Sequence, residues 1–337
     1  MTQYLQETLE RPSAWRGRDL ADTDDWIINL NVDHIEELTA SIVANAQRGT
    51  DLFHISADDF PLPTVSQLCR RIQSDLEGGR GFALIRGLPV ARYSLDQNSL
   101  AIWGLGTHVG MAETQDRDGN LLHHVRDTGE DLSNDNVRAY QTRGAIGYHN
   151  DGADVFMLLC LKTAGRGGRT KLVSGVAVFN EILRRQPDLA TLLQEPFYFD
   201  LRGQQRQDQA PYQSVPIYNF HDGNLCVLYK REYIDLAQRF PQVPTLTERQ
   251  IAALDLLDQI CDECALEFDM RPGDILVVNN YDCLHARSAY QDNSDHNQNR
   301  HMLRLWLTLP NGRALPPVFA TTREFYHSFA RRKAHHE

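Results

Sequence analysis

Cysteine is scarce in this sequence, and long hydrophobic runs are missing. Six cysteines in 337 residues (Cys69, Cys160, Cys226, Cys261, Cys264 and Cys283) are too few and too scattered for a disulfide framework, which points to a reducing, cytoplasmic compartment. No apolar stretch approaches the roughly 20 residues that span a bilayer. The first ten residues lack a basic segment leading into an apolar one, so neither a membrane partner nor a secretory signal is expected. Basic charge is also in deficit: 34 Lys and Arg against 45 Asp and Glu give a formal charge of −11. With no concentrated basic patch, a nucleic-acid partner is not expected. Gly and Pro, at 22 and 14, are too few for a collagen-like or low-complexity chain, and there is no internal repeat.

What is present is ordinary globular composition, 42% hydrophobic and 23% charged, with length enough for a sizeable core. Residues 1–337 read as a single catalytic domain, in which residues 1–60 form a polar, mostly helical extension packed on the core. Ile35, Leu38, Ile42 and Val43 mark one face of a helix in that extension. Residues 64–76 read as a second helix, ended by Gly78-Gly79-Arg80-Gly81, and residues 177–186 as a third. Thr247-Glu248-Arg249-Gln250 is a capping box that opens a fourth. Buried strands are predicted at residues 82–87, 155–161, 170–174, 224–229, 275–278 and 303–309. Helices do not alternate regularly with these strands, so a Rossmann sheet or a TIM barrel fits poorly, and a β-sandwich or barrel with helical insertions fits better.

Three segments carry chemistry. In Tyr148-His149-Asn150-Asp151-Gly152, His149 and Asp151 stand at i and i+2, which on an extended strand places both on one face. An imidazole and a carboxylate so placed can share a metal ion, although His-x-Asp alone is a weak signal. The strand 275–278 leads into Tyr281-Asp282-Cys283-Leu284-His285-Ala286-Arg287 and delivers His285 near its end. Asn299-Arg300-His301-Met302-Leu303-Arg304 follows, and either guanidinium there can hold a carboxylate in a bidentate fork. His301 competes with His285 as the distal histidine; His285 is favoured because it ends a buried strand.

Two histidines and one carboxylate leave three positions open on a metal, the arrangement of non-heme Fe(II) oxygenases. At this point the sequence resembles the taurine/2,4-D dioxygenase-like (TauD/TfdA) family of Fe(II)/2-oxoglutarate-dependent oxygenases. The resemblance runs over roughly residues 60 to 325. It takes in Gly81-Phe82-Ala83-Leu84-Ile85-Arg86-Gly87-Leu88-Pro89, Arg138-Ala139-Tyr140-Gln141-Thr142 leading to His149-Asn150-Asp151, Gly167-Gly168-Arg169-Thr170, His285-Ala286-Arg287 and Arg300-His301-Met302-Leu303-Arg304. It implies a mainly β fold with helical insertions (α+β), built on a double-stranded β-helix, the jelly roll of clavaminate synthase-like proteins. It implies that His149, Asp151 and His285 are the catalytic iron ligands. Thr170 would donate its hydroxyl to 2-oxoglutarate, and Arg300 would pair with the cosubstrate's distal carboxylate. Arg304 would serve the cosubstrate or an anionic substrate group. Arg169 stands where the family commonly has an acidic residue. The loop between His285 and Arg300 is somewhat long, which leaves the division of labour between the two arginines open.

The implied activity uses Fe(II), 2-oxoglutarate and O2. It couples oxidative decarboxylation of 2-oxoglutarate to oxidation of a C–H bond in a small organic molecule, with hydroxylation as the leading outcome and desaturation or another oxidative rearrangement in secondary metabolism as the alternative. Asp151 argues against a halogenase, in which that ligand position is left to chloride. Tyr148, Asn150, Asn280, Tyr281 and Arg304 flank the ligands as candidate substrate contacts; for the first four the competing reading is structural hydrogen bonding. A zinc hydrolase on the same ligands, and a non-catalytic jelly-roll binding protein, are the other classes weighed. His34, His123-His124 and Cys261-x-x-Cys264 read as solvated, polar-loop and structural residues respectively. A homo-oligomer is left open.

Overall fold

The computed structural model describes residues 4–130, 141–207, 209–295 and 298–336. Alternation of side chains along its strands decides what each face does. In the strand Phe82–Arg86, Ala83 and Ile85 join one apolar cluster while Phe82 and Leu84 join another. In the strand His301–Thr308, Leu303, Leu305 and Leu307 turn one way, and Met302 and Trp306 turn the other.

These strands belong to a seven-stranded sheet in the order Ile27–Asn29, Phe82–Arg86, Ile275–Asn279, Val155–Lys162, His301–Thr308 and Met111–Glu113, with Leu122–Val125 also paired to His301–Thr308. A four-stranded sheet faces it, in the order Leu266–Phe268, Thr170–Ser174, Cys283–Arg287 and Ile146–His149. Leu172 and Cys283 from the smaller sheet share a cluster with Phe82, Phe156 and Trp306 from the larger one. The two sheets therefore form a sandwich with a common interior. The helices Val32–Arg48, Val65–Gly78 and Leu95–Val109 cover the outer face of the large sheet. Gly175–Arg185 and Glu248–Cys264 cover the outer face of the small one.

The mainly β, α+β architecture expected from the sequence is present. The capping box at Thr247 forms, with Gln250 N donating to Thr247 Oγ1 at 3.2 Å. One expectation is revised. The N-terminal segment, expected to be mostly helical, also carries Ile27–Asn29, a parallel strand beside Phe82–Arg86 in the large sheet; Trp26-Ile27-Ile28 is a short β-favouring run that the polar surroundings obscure. The helix Gly175–Arg185 ends before Pro187, which opens the next helix, Pro187–Leu192, at the first turn, where a missing N–H costs nothing. Among the described residues no helix is long and apolar enough to cross a membrane.

Candidate active site

The small sheet brings the two histidines together. His285 lies opposite His149 on one side and Leu172 on the other. Cys283 faces the sandwich interior and Leu284 and Ala286 face outward, so His285 and Arg287 share the inward face. The imidazole centroids of His149 and His285 are 4.1 Å apart.

Asp151 lies just past the strand end, in a turn held by amide side chains. The Asn150 amide donates to Val227 O (3.0 Å) and Asn280 O (3.2 Å), and its oxygen accepts from Tyr229 N (2.9 Å). Asn280 Oδ1 accepts from Asp151 N (3.1 Å), and its amide donates to Gly152 O (2.8 Å) and Ala153 O. A Cβ on Gly152 would lie 2.5 Å from the Trp306 ring, so only glycine fits. Ala153 follows at φ 58°, a conformation that a residue with a Cβ holds only when its surroundings insist. The result is that one ligand atom each from His149, Asp151 and His285 lies within 4.8 Å of the others.

Burial pushes the Asp151 carboxyl up, but Arg304 first, then both histidines and Lys230, outweigh it and hold it well below the usual carboxylate range. Arg304 Nη1 donates to both Asp151 oxygens at 3.1 and 3.0 Å, and Arg304 Nε donates to Gln115 Oε1 at 2.8 Å. Burial depresses both histidines, His285 well below its ordinary value with His149 adding to the effect, and Asp151 opposes the shift in each. Both rings are thus neutral near pH 7, the form that donates a lone pair. His149 Nδ1 donates to Gly147 O at 2.9 Å, because a carbonyl can only accept, and this leaves Nε2 as the free donor atom. His285 Nδ1 is buried with no partner among the described residues. Two neutral imidazoles, one ionised carboxylate and an unpartnered ring nitrogen fit a divalent cation.

The other expected residues divide. Thr170, Arg300 and Arg304 are all buried in the sandwich. Thr170 is the ladder partner of Arg287. Arg300 packs beside Tyr290, its Cζ 5.4 Å from the ring centroid. Arg304, inward because Leu303 and Leu305 face outward, is the ion-pair partner of Asp151. His301 does not compete for the metal: it pairs with His124 at 2.9 Å. Arg169 meets Glu267 and Asp269, so its charge is answered at the sheet edge. Among the substrate candidates, Asn150, Asn280 and Tyr281 are corrected. All three are fully buried, the asparagines brace the Asp151 turn, and the Tyr281 hydroxyl donates to Asp154 at 2.6 Å. Tyr148 stays at the cavity, its hydroxyl donating to Asp262 at 2.9 Å. Arg138, Ala139 and Tyr140 lie outside the described residues.

A cavity of about 980 Å³ opens beside His149 and Asp151. Sequence reasoning missed several of its walls: Lys230, Arg287, Trp306 and Arg323. Lys230 bridges to His149 through the backbone and pairs with Glu324 at 3.0 Å. Arg304 and Arg323 both stand over the Trp306 ring, their Cζ atoms 5.2 and 5.1 Å from its centroid. The signal for Arg287 was available, since it stands two residues beyond His285 on one strand. For Lys230 and Arg323 there was none, because long-range pairing brings them in.

The family described as taurine catabolism dioxygenase TauD, TfdA family matches residues 45–306. The FR-33289 synthase of Streptomyces rubellomurinus is 29% identical over 96% of this chain and 97% of its own. A taurine hydroxylase-like protein, SAT17, of Stachybotrys chartarum is 26% identical over 89% of this chain and 80% of its own. Among solved structures, an asparagine oxygenase in complex with Fe(II), 3-hydroxyasparagine and succinate superposes with TM-score 0.66 at 15% identity, covering 84% of this chain and 94% of that one. The non-heme iron oxygenase OrfP in complex with Fe and alpha-ketoglutaric acid superposes with TM-score 0.62 at 16% identity, covering 83% and 93%. These two share the fold, the double-stranded β-helix.

Proposed function

We propose, from the premise that the chain belongs to the TauD, TfdA family of dioxygenases, that His149, Asp151 and His285 hold its iron and that Thr170 and Arg300 face the tail of its cosubstrate. The enzyme is an oxidoreductase, an Fe(II)/2-oxoglutarate-dependent dioxygenase that oxidises a small organic molecule. The observation that carries the site assignment is the convergence of three ligand atoms within 4.8 Å beside a cavity of about 980 Å³.

When bound, ferrous iron with 2-oxoglutarate supplies the activation of O2 that a protein side chain cannot. The chain's own residues arrange the rest. His149 is held in one tautomer by Gly147 O. Asp151 is kept ionised and oriented by Arg304, which makes Arg304 a residue that positions a ligand. The dry interior strengthens carboxylate recognition at Arg300. The cavity wall, which includes Lys171 paired with Asp262 as well as Lys230, Arg323 and Asp258, selects a polar substrate. The whole chain acts as one catalytic unit, with Leu5 and Leu9 packed on the helical cover of the small sheet and Leu38, Ile42 and Ile55 on that of the large one. A reducing cytoplasm suits its six buried free thiols.

The test is anaerobic reconstitution with Fe(II) and 2-oxoglutarate. A visible charge-transfer band, followed by succinate release on admitting O2, supports the reading. Retention of zinc with activity in the absence of O2 overturns it in favour of a hydrolase.

A further inference from the structure

Four buried polar atoms without partners among the described residues gather at one place: Arg287 Nε and Nη1, Arg300 Nη1 and the Tyr290 hydroxyl. Buried donors are almost always satisfied, so such a group marks a site that a ligand completes. The Tyr290 ring stands against both cations, 4.7 Å from Arg287 Cζ and 5.4 Å from Arg300 Cζ. Thr170 is the ladder partner of Arg287 and shares its inward face. The turn before it is Gly167-Gly168, both at φ 74°. The backbone at Gly168 passes close to the pair, since a Cβ there would stand 3.4 Å from Tyr290 Cβ and 3.5 Å from Arg300 Nε, and its positive φ favours glycine.

We propose that Arg287 is a second guanidinium of the keto-acid site, gripping the distal carboxylate of 2-oxoglutarate together with Arg300 and Tyr290. This rests on the reading that Thr170 and Arg300 face that carboxylate. A carboxylate has two oxygens and about four lone-pair directions, more than one arginine and one threonine satisfy. Two acidic groups nearby, Asp127 and Asp292, offset part of the pair's charge but leave Arg287 Nε and Nη1 and Arg300 Nη1 without an acceptor among the described residues. Asp127 accepts from Arg143 at 2.5 Å, and Asp292 accepts from the backbone N–H of Arg300 and lies 3.7 Å from Arg143. Arg287 Nη2 is committed to Thr142 O (2.9 Å) and Gly144 O, which aims the rest of the guanidinium. Both guanidiniums are buried side by side against the Tyr290 ring, so like charges face each other until an anion bridges them.

The experiment compares two keto acids on the full-length Mn(II)-loaded protein by calorimetry. 2-Oxoglutarate carries the distal carboxylate; 2-oxobutyrate has the same chelating head and lacks it. Arg287→Met is expected to weaken 2-oxoglutarate about tenfold to a hundredfold and to leave 2-oxobutyrate within about twofold, with Arg287→Lys recovering part of the loss. Equal weakening of both ligands, or none, overturns the proposal and reduces Arg287 to a prop for residues 142–144. If Arg287→Met does not fold, Arg287→Lys carries the same two-ligand comparison. Arg300→Met separates the layers. If it weakens 2-oxoglutarate while Arg287→Met does not, only the role of Arg287 falls. If neither variant matters, the placement of the cosubstrate falls as well.

Discussion

Around Asp151 charge is matched: Arg304 sits on both carboxylate oxygens, Lys230 is paired with Glu324, and the histidines are neutral. Around Tyr290 it is not: two buried guanidiniums approach one ring, and each has donor atoms with no acceptor among the described residues. Both regions are buried, with Arg304 reaching in from one sheet of the sandwich and Arg287 from the other. Burial is similar, so the difference lies in what each region is ready to receive. The first is balanced without a ligand and presents lone pairs to a cation. The second holds excess positive charge whose desolvation cost is offset only when an anion arrives.

The largest way to break this contrast is at its balanced end. Asp151→Ala removes a candidate ligand and strands Arg304. Succinate formation should fall by about three orders of magnitude, measured with metal content on the same sample. Full activity at normal iron content would mean that Asp151 is no ligand. Next, the two arginines should behave oppositely in metal-free protein. Arg304→Met leaves Asp151 buried and unpaired and should cost about 3–5 kcal/mol in denaturant unfolding. Arg300→Met relieves a like-charge contact and should leave the midpoint unchanged or raised. Equal losses in the two variants would erase the distinction.

A smaller effect tests the turn that carries Asp151. Gly152→Ala drives a methyl into the Trp306 ring and should cost about 1–3 kcal/mol, with iron affinity falling alongside stability. Loss of stability with unchanged iron binding would detach the turn from the site. The smallest effect is a control pair that awaits no anion. His301 is pushed down to about 4 by burial first, then by His124, Arg126 and Lys162. Its folded value lies below its unfolded one, so the unfolded chain binds more protons between about pH 6.5 and 4. Stability should therefore decline as pH falls through that window, and His301→Gln should flatten the slope in melts run from pH 7.5 to 4.5.

Much of this was legible without coordinates. Several strands announced themselves as short apolar runs, and two-residue spacing picked out His149 with Asp151, although Asp151 lies in a turn past the strand Ile146–His149 and not on it. His285, expected at the end of the strand 275–278, stands in the middle of a separate strand, Cys283–Arg287, in the other sheet. The legible part failed where polarity has two meanings. Asn150, Asn280 and Tyr281 flank the ligands, as substrate contacts would, yet they hydrogen-bond to backbone and to Asp154. A local pattern cannot say whether a polar side chain next to a ligand faces the cavity or braces the turn behind it.

The sequence by itself determined several of the buried strands and the types and order of the candidate ligands, because side-chain period and residue chemistry are local properties. Only the tertiary structure decided that Arg304 serves Asp151, that Arg287 stands over Thr170, and that Lys230 and Arg323 wall the cavity. Those contacts depend on strand register and on sheets closing over one another, where a shift of one residue would turn every inward group outward.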